Sequence, residues 1–449
     1  MTRVLVLVDG EHYPPVTRWG LDVAAERGLE PVGVLMVGGR EKLPAGGALD
    51  LGDVAVEAAA DPYGALVEAI ERLRPDAVLD LSDEPVLGYR ERMHLAALAL
   101  VRGVAYLGAD FRLDPPHRAP PPAVPTLAVI GTGKRTGKTA VGGHVARLAA
   151  AAGLRPVVVA MGRGGPAEPQ VAEGTIDLER LRELARRGEH ASSDYLEDAV
   201  TAGVTTVGAR RCAGGLAGAP FVTNVEEAVR TATGLGAGIL VLEGSGAAIP
   251  PVAWDAGVLV APASLDPEFL VGYLGPYRLL RSDLLFLTMV SGSGSGPESL
   301  STLLSHVRRL VPDIRIAVSD FVPTPLGDVE GKRVFLATTA SENGARVQTR
   351  TLEARHSVTV VGTTRRLADR AGLAEDLRAA EPFDVLLTEL KAASIDVAAE
   401  LAIERGAEVV FLDNRPETAE GPGDGEVDSL LLEAIELAAE RARARGEAG

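Results

Sequence analysis

Between Thr126 and Ala160 the chain reads TLAVIGTGKRTGKTAVGGHVARLAAAAGLRPVVVA, which is an apolar run of strand length, a turn holding three glycines, an amphipathic stretch and a second apolar run. Parallel neighbours need a crossover connection, and a helix laid on the sheet face supplies it. The segment therefore predicts one β-α-β unit of a parallel sheet. Short apolar runs alternate with amphipathic stretches from end to end, so the whole chain reads as α/β.

In the first third, strands are expected at Val4–Val8, Pro31–Val37, Ala77–Leu81 and Val104–Leu107, with helices over Val16–Arg27, Tyr63–Arg74 and Val86–Val101. The proline-rich stretch from Asp114 to Pro125, DPPHRAPPPAVP, disfavours helix and reads as an extended linker. Further strands are expected at Gly238–Leu242, Val258–Val260, Leu284–Val290 and Ile314–Val318. In the last third they fall at Val334–Ala337, Ser357–Val361, Val385–Leu387 and Val409–Leu412, before a charged helix from Ser429 that frays after Arg445. Ser291 to Gly296, SGSGSG, reads as a flexible loop after a strand. The resulting division is an amino-terminal Rossmann-like domain over 1–122, a catalytic domain over 123–328 and a carboxy-terminal α/β domain over 329–449. A length of 449 residues accommodates three such units at about 150 residues each.

Composition narrows the function classes. The formal charge of -17 argues against coating a nucleic acid, which demands a basic footprint, so any anionic ligand must meet a local cluster of cations. Cys212 is the single cysteine, which excludes an intrachain disulfide or a cysteine-ligated zinc. The opening MTRVLVLVDG has an apolar run of five residues, too short for a signal or a membrane span. The expectation is a cytoplasmic protein without a membrane partner.

The turn Gly131-Thr132-Gly133-Lys134-Arg135-Thr136-Gly137-Lys138-Thr139 has the context of a phosphate-binding P-loop. Its glycines let backbone N–H groups turn inward, and the helix beginning at Lys138 and Thr139, continued by Ala140, adds its positive end. Lys138 is expected on the terminal phosphates of a nucleotide and Thr139 on Mg²⁺. The strict spacing would place the first glycine at Thr132, whereas Gly131 stands one residue earlier. This lengthened form resembles dethiobiotin synthetase and its relatives. Glu243, at the end of the apolar run Ile239–Leu242, is the acidic partner such a loop needs for its metal. Lys134, Arg135, Arg163, Arg210 and Arg211 are the candidate phosphate cations, with Arg210 and Arg211 read as part of a glycine-rich loop.

Two groups at strand ends flank this centre. Asp9, Glu11 and His12 follow the first strand, and Asp80, Asp83 and Glu84 follow a later one; His12 is a candidate phosphate contact, and the acids serve equally as helix caps. In the last third, Thr363 to Arg366, Glu389 to Lys391 and Asp413 to Pro416 also follow strands, with solvated strand ends as the default reading.

The segments GTGKRTGKTAVGGHVARL, ASSDYLEDAVTAGVTTVGARRCAGGLAG and VLEGSGAAIPPV resemble the cyclic 2,3-diphosphoglycerate synthetase family, as do DGEHYPPV, DLSDEPVLGY, TELKAASIDVA and VVFLDNRPE. The resemblance implies a central P-loop NTPase domain with a dethiobiotin synthetase-like parallel sheet, flanked by amino- and carboxy-terminal α/β domains. It implies an ATP- and Mg²⁺-dependent ligase that closes 2,3-diphosphoglycerate into a cyclic anhydride, working as a homodimer. Lys134, Arg135, Lys138 and Glu243 would be catalytic, Gly131 to Ala140 would hold the nucleotide, Thr139 and Glu243 the metal, and His12, Arg163, Arg210 and Arg211 the substrate. Two other readings fit the loop: a related ATP-dependent ligase acting on a carboxylate, or a non-catalytic switch ATPase. The switch ATPases often carry a lysine early in the loop, where this chain has Gly133.

Overall fold

The computed structural model describes residues 1–39, 41–43, 49–52, 54–58, 60–174, 176–291 and 297–448. The loop expected over 291–296 lies, apart from Ser291, outside the described residues. Two compact units are present. One comprises Met1–His117, Asp266–Ser282 and Thr302–Asp313; the other comprises Arg118–Leu265, Asp283–Ser301 and Ile314–Gly449. Among the described residues no helix is long and apolar enough to cross a membrane.

The first unit is built on β1 (Thr2–Val8), β2 (Leu29–Met36), β3 (Val56–Ala58), β4 (Ala77–Asp80), β5 (Ala105–Leu107) and β6 (Arg112–Leu113), in the order β3-β2-β1-β4-β5-β6. The helices α1 (Pro14–Glu26), α2 (Pro62–Leu73) and α3 (Tyr89–Val101) connect its strands. All pairings are parallel except the last. Val4, Val6 and Val8 of β1 pack with Leu21 and Ala24 of α1, as alternation along the strand requires.

The second unit holds one continuous sheet. Its strands are β7 (Thr126–Gly131), β8 (Pro156–Gly162), β9 (Gln170–Ala172), β10 (Thr205–Cys212), β11 (Val222–Thr223), β12 (Ile239–Glu243), β13 (Ala256–Pro262), β14 (Leu284–Thr288), β15 (Arg315–Pro325), β16 (Arg333–Ala337), β17 (Thr359–Thr364), β18 (Val385–Thr388) and β19 (Glu408–Thr418). The order is β11-β10-β8-β12-β7-β13-β14-β15-β19-β18-β16-β17, with β9 paired to β10. From β10 to β15 the pairings are parallel, and β15 then pairs antiparallel with β19 over seven residue pairs from Ser319 to Pro325. That antiparallel joint carries the last third of the chain into the same sheet.

Strand β7 sits between β12 and β13, with Leu127, Ala128, Val129 and Ile130 fully buried, because a central parallel strand is covered on both faces. The chain leaves β7 through α4 (Lys138–Ala151) towards β8 on one side, while β13 lies on the other. Such a reversal opens a crevice at the strand's carboxyl end, and the glycine-rich turn occupies it. Helix α4 buries Val141, Val145, Ala146 and Ala149 in the core below. The carboxy-terminal helix Val427–Ala448 packs alongside α4 and puts Val427, Leu430, Leu431, Ala434, Ile435 and Ala438 into the same core. Arg441 and Arg445 tether it by bonds to Asp283 and Asp255, and Asp255 also accepts the Thr126 amide at the start of β7.

Several boundaries differ from the sequence reading. The last helix begins at Val427 and continues past Arg445 to Ala448, since Arg445 is anchored rather than frayed. Strand β17 runs Thr359–Thr364 instead of Ser357–Val361, because Ser357 adopts a left-handed backbone (φ 55°) that ends the preceding helix Glu342–His356. The segment holding Arg210 and Arg211 is strand β10, whose β-branched start Thr205-Thr206-Val207 outweighs the glycines.

Replacing Leu431, which is fully buried, by alanine is expected to cost about 2–5 kcal/mol and visibly lower the thermal midpoint. The neighbouring half-buried Leu432→Ala is expected to cost much less; equal shifts in thermal denaturation would show that the helix does not seal this core.

Candidate functional site

At the crest of β7 the turn closes on its own lysine. Lys138 Nζ donates to the Gly133 carbonyl at 2.7 Å and to the Thr136 hydroxyl at 3.2 Å, and the Thr136 carbonyl in turn accepts from Thr288 of β14 at 2.9 Å. Gly137 has φ 91°, and a Cβ there would stand 2.2 Å from the Phe321 ring, so both backbone and space demand glycine. Arg135 also takes a left-handed backbone (φ 58°). Lys134 and Arg135 are exposed and, among the described residues, ion-pair with no carboxylate, which leaves both guarding the turn.

Glu243 ends β12 beside β7 and β8. Its carboxylate lies over α4, where a Cβ on Gly142 would fall 1.7 Å from Oε1; glycine at this position makes the approach of strand end and helix possible. Glu243 is 2% exposed, and among the described residues other than this carboxyl pair itself neither its Oε1 nor either oxygen of fully buried Asp198 finds a donor. Burial, then the nearby Asp194, pushes the Glu243 carboxyl well up; burial, then Glu243, does the same for Asp198. Orphaned buried carboxylate oxygens beside a P-loop fit a divalent cation, and the Thr139 hydroxyl, one residue beyond Lys138, is of the type that could join them. Burial also lowers Lys138 to about 8, against the pull of Glu243 and Asp194.

Beyond α5 (Leu178–Arg186), Asp194, Glu197 and Asp198 share one face of α6 (Asp194–Ala202), at the i, i+3, i+4 spacing of a helix. Sequence reasoning missed them, although the run SDYLED carries that spacing. They are joined by the last third of the chain. Lys391, just after β18, bonds both Glu197 oxygens at 3.1 Å, and a cavity of about 70 Å³ there is bounded by Thr139, Glu197, Glu389, Lys391, Asp413 and Asn414. Burial alone would lower Lys391, yet Glu197 holds it above its ordinary value. Glu389 is spoken for by the Thr338 and Thr339 hydroxyls and the Thr339 amide, and Asp413 by Arg147 and Arg415.

Arg211 and Arg163 meet over Gly246, where a Cβ would stand 2.9 Å from an Arg163 nitrogen and 3.4 Å from one of Arg211. Arg211 is 9% exposed and is aimed by bonds to the Ala213 and Ser245 carbonyls. Burial and then Arg163 lower its pKa, and Arg163 and Arg211 both also depress Lys138, so these three cations form one group. Arg210 is not part of it. Alternation along β10 turns its exposed side chain to the opposite face, and its backbone is held by Asn224 and Thr223. His12 lies in the first unit, where its Nδ1 meets Asp9 at 2.8 Å; Asp9 also accepts the Glu11, His12 and Asp83 amides, a structural duty. Asp80 is likewise engaged, by Arg92 and Tyr106.

Comparison with known proteins bears on this arrangement. The chain matches the P-loop domain of cyclic 2,3-diphosphoglycerate synthetase over residues 126–319, its N-terminal domain over 3–114 and its C-terminal domain over 325–415. The cyclic 2,3-diphosphoglycerate synthetase of Rubrobacter xylanophilus is 48% identical over 451 residues, covering 100% of this chain and 99% of that protein. Those of Methanothermobacter thermautotrophicus and Methanothermus fervidus are 39% and 37% identical, each covering 97% of this chain and 96% and 97% of their own lengths.

With Lys138 near 8, a polyanion entering the turn stabilises its charged form, so metal-free nucleotide is expected to bind with proton uptake above about pH 8 and to weaken as pH rises further. Calorimetry in buffers of different ionisation enthalpy reads this uptake. Lys138→Met should reduce it and weaken binding by about 10–100-fold, the worth of a charge-assisted hydrogen bond; unchanged uptake would place the proton elsewhere.

Proposed function

The chain belongs to the cyclic 2,3-diphosphoglycerate synthetase family, and on that premise we propose that it closes 2,3-diphosphoglycerate into its cyclic anhydride with conversion of ATP to ADP and phosphate. The observation that carries the reading is the grouping of Lys138, Arg163 and Arg211 at the end of a parallel strand, in a chain that aligns with these synthetases over its whole length.

Joining two phosphomonoesters is uphill in water until one oxygen becomes a leaving group. An oxygen of one substrate phosphate attacks the γ-phosphorus of ATP and ADP departs. An oxygen of the second phosphate then attacks the phosphorus so activated, the ring closes, and inorganic phosphate leaves with the bridging oxygen. No general base is required, since a phosphate near neutral pH is already an anionic nucleophile. The barrier is repulsion: two unit charges about 4 Å apart oppose each other by roughly 4 kcal/mol at an effective dielectric of about 20, and several such pairs must be brought together. Positioning and charge cancellation are therefore the work of the protein.

In this reading Gly131 to Ala140 cradle the nucleotide phosphates. Lys138 neutralises the transferring group, while the exposed Lys134 and Arg135 close over it. Arg163 and Arg211 hold the substrate phosphates, and Thr139 and Glu243 hold Mg²⁺, with Asp198 behind Glu243. When bound, Mg²⁺ supplies further charge neutralisation at the phosphoryl oxygens. Arg210 and His12 stay in the proposal as substrate contacts on resemblance alone, and not by grouping with the turn. Division of the chain at residue 122 is supported by the break between the first two matched ranges, and the second division, proposed at 328, falls just beyond the break between residues 319 and 325. A cytoplasmic homodimer completes the proposal.

Phosphorus NMR of 2,3-diphosphoglycerate with ATP and Mg²⁺ is expected to show the cyclic anhydride; ADP release without it would remove the reading. Glu243→Gln is expected to reduce Mg²⁺-dependent turnover more than nucleotide affinity. Arg211→Gln is expected to lower kcat/KM for the acid by about 10²–10³, the range seen when one transition-state donor is lost. Arg210→Gln should cost less than Arg211→Gln, and the opposite ranking in steady-state kinetics would reverse the assignment of the two faces of β10.

A further inference from the structure

Thr363 to Arg366, at the carboxyl end of β17, form one wall of a cavity of about 470 Å³, a volume typical of small-molecule sites. The other wall is the helix Glu342–His356, which turns Glu342, Ala345, Arg346, Thr349 and Arg350 to it along a single face. Four guanidinium groups, those of Arg346, Arg350, Arg365 and Arg366, therefore meet at one hollow in a chain of net charge -17. None of the residues bounding it belongs to the glycine-rich turn or to the cavity beside Lys391.

The carboxylates around this hollow are committed elsewhere. Glu342 pairs with Arg346. Arg366 lies across Gly372, where a Cβ would stand 1.9 Å from Nε, and bonds Glu375 at 2.9 Å and Asp376 at 3.1 Å; Asp376 also accepts the Thr364 hydroxyl. Asp369 caps the helix Arg370–Ala379 by accepting the Gly372 amide at 3.1 Å. Glu353, one turn beyond Arg350, accepts the Val360 amide at 3.2 Å. The charges of Arg346 and Arg366 are thus met within the walls. Those of Arg350 and Arg365 are not: both are exposed, and among the described residues neither pairs with a carboxylate. The Thr349 and Thr363 hydroxyls likewise make no hydrogen bond among the described residues. Beneath them the wall is fixed, since Thr364 is 2% exposed, its carbonyl accepts the Thr338 amide at 3.0 Å, and Thr338 in turn bonds Glu389. Strand β17 is last in the strand order, and a register shift opposite Val334 and Phe335 sets Val361 as an extra residue in it. Such a bulge twists an edge away from pairing with another strand, so this end of the sheet suits a small ligand better than a second chain.

We propose that this hollow is a second phosphate site, which takes one phosphate dianion, free or as a phosphomonoester, between Arg350 and Arg365 with the Thr349 and Thr363 hydroxyls as neutral donors. Two guanidinium charges balance one dianion, and their planar forks match its oxygens. The two arginines come from separate elements, a helix and a strand end, so an anion between them is gripped from both walls. Glu342 and Asp376, at the same hollow, oppose a second phosphate and set the preference for a singly phosphorylated ligand over a bisphosphate.

Hydrogen exchange of the full-length protein, titrated at constant ionic strength with sodium phosphate or with glycerol 3-phosphate, tests this. Protection over residues 345–366 is expected with a dissociation constant of about a millimolar, the worth of two charge-assisted hydrogen bonds. The same protection is expected in Lys138→Met, which disables the turn. Arg350→Gln and Arg365→Gln are each expected to weaken it about tenfold, and Arg365→Lys, which keeps the charge and loses the fork, to fall between. Both arginines are exposed, so the thermal midpoint of these variants without added anion is expected to stay where it is. Equal affinity for the two anions assigns the site to free phosphate, and tighter glycerol 3-phosphate assigns it to an organic phosphomonoester. No protection with either anion at about tenfold this concentration overturns the proposal. Undiminished protection in both Arg350→Gln and Arg365→Gln also overturns it, and so does its loss in Lys138→Met, which would return the anion to the turn. Each outcome reads the same whether or not the chain forms cyclic product from 2,3-diphosphoglycerate.

Discussion

The structure depends on withdrawing opposite charges from water at the same place. Lys138 and Glu243 are both nearly buried at the carboxyl ends of adjacent strands, and each would rather be neutral there. An isolated buried charge costs several kcal/mol, so such a site is stable only because the two lie close and because backbone and hydroxyl groups of the turn bond the ammonium. The same arrangement leaves carboxylate oxygens on the acid side without donors among the described residues and a cation on the other side held by neutral acceptors only. A polyanion accompanied by a divalent ion supplies both deficits at once, which is why nucleotide and metal are expected to bind as a set.

Close approach of backbone makes this possible. Gly142 lets the Glu243 carboxylate lie on α4, Gly137 gives way to Phe321, and Gly246 admits two guanidinium groups. The antiparallel joint between β15 and β19 then carries the ends of β18 and β19 over the start of α4, where Lys391 meets Glu197. Acids of α6 thus face the turn from one side and are countered by the last third of the chain on the other. The carboxy-terminal helix seals the core beneath, tied at Asp255 to the first residue of the P-loop strand.

Much of this was legible in the sequence because it is local. The turn, the helix it opens and the acid ending an apolar run are each written in fewer than about twenty consecutive residues, and periodicity places them on the right elements. Adjacent residues on a strand defeat the same reasoning: Arg210 and Arg211 look equivalent in a glycine-rich stretch, and only pairing of β10 with β8 reveals that they face opposite ways. Asp198 was out of reach, and Lys391, noted after its strand, reads by default as a solvated strand end, for another reason. Their local patterns do not say what they meet; α6 reaches the turn by packing on α4, and Lys391 by a strand joint formed with β15. The acids near His12 illustrate the converse, since Asp9 and Asp80 sit at strand ends as ligand groups do, yet spend their oxygens on neighbouring amides, Arg92 and Tyr106.

A protein of net charge -17 that handles two polyanions must confine its attraction to short range. At physiological salt the Debye length is about 8 Å, so the overall charge is screened from a ligand already within the crevice while the local cations are not. The acids of α6 sharpen that confinement. Three of the cations near the turn have a carboxylate close behind them, Glu197 behind Lys391 and Asp194 near both Lys138 and Arg211, so this part of the group is only partly positive when empty. A single phosphate gains little from such a cluster. A ligand that engages several cations together, and brings a divalent ion to the acids, gains from every pair, and this converts a generic preference for anions into a requirement for the full set of charged groups in their correct places.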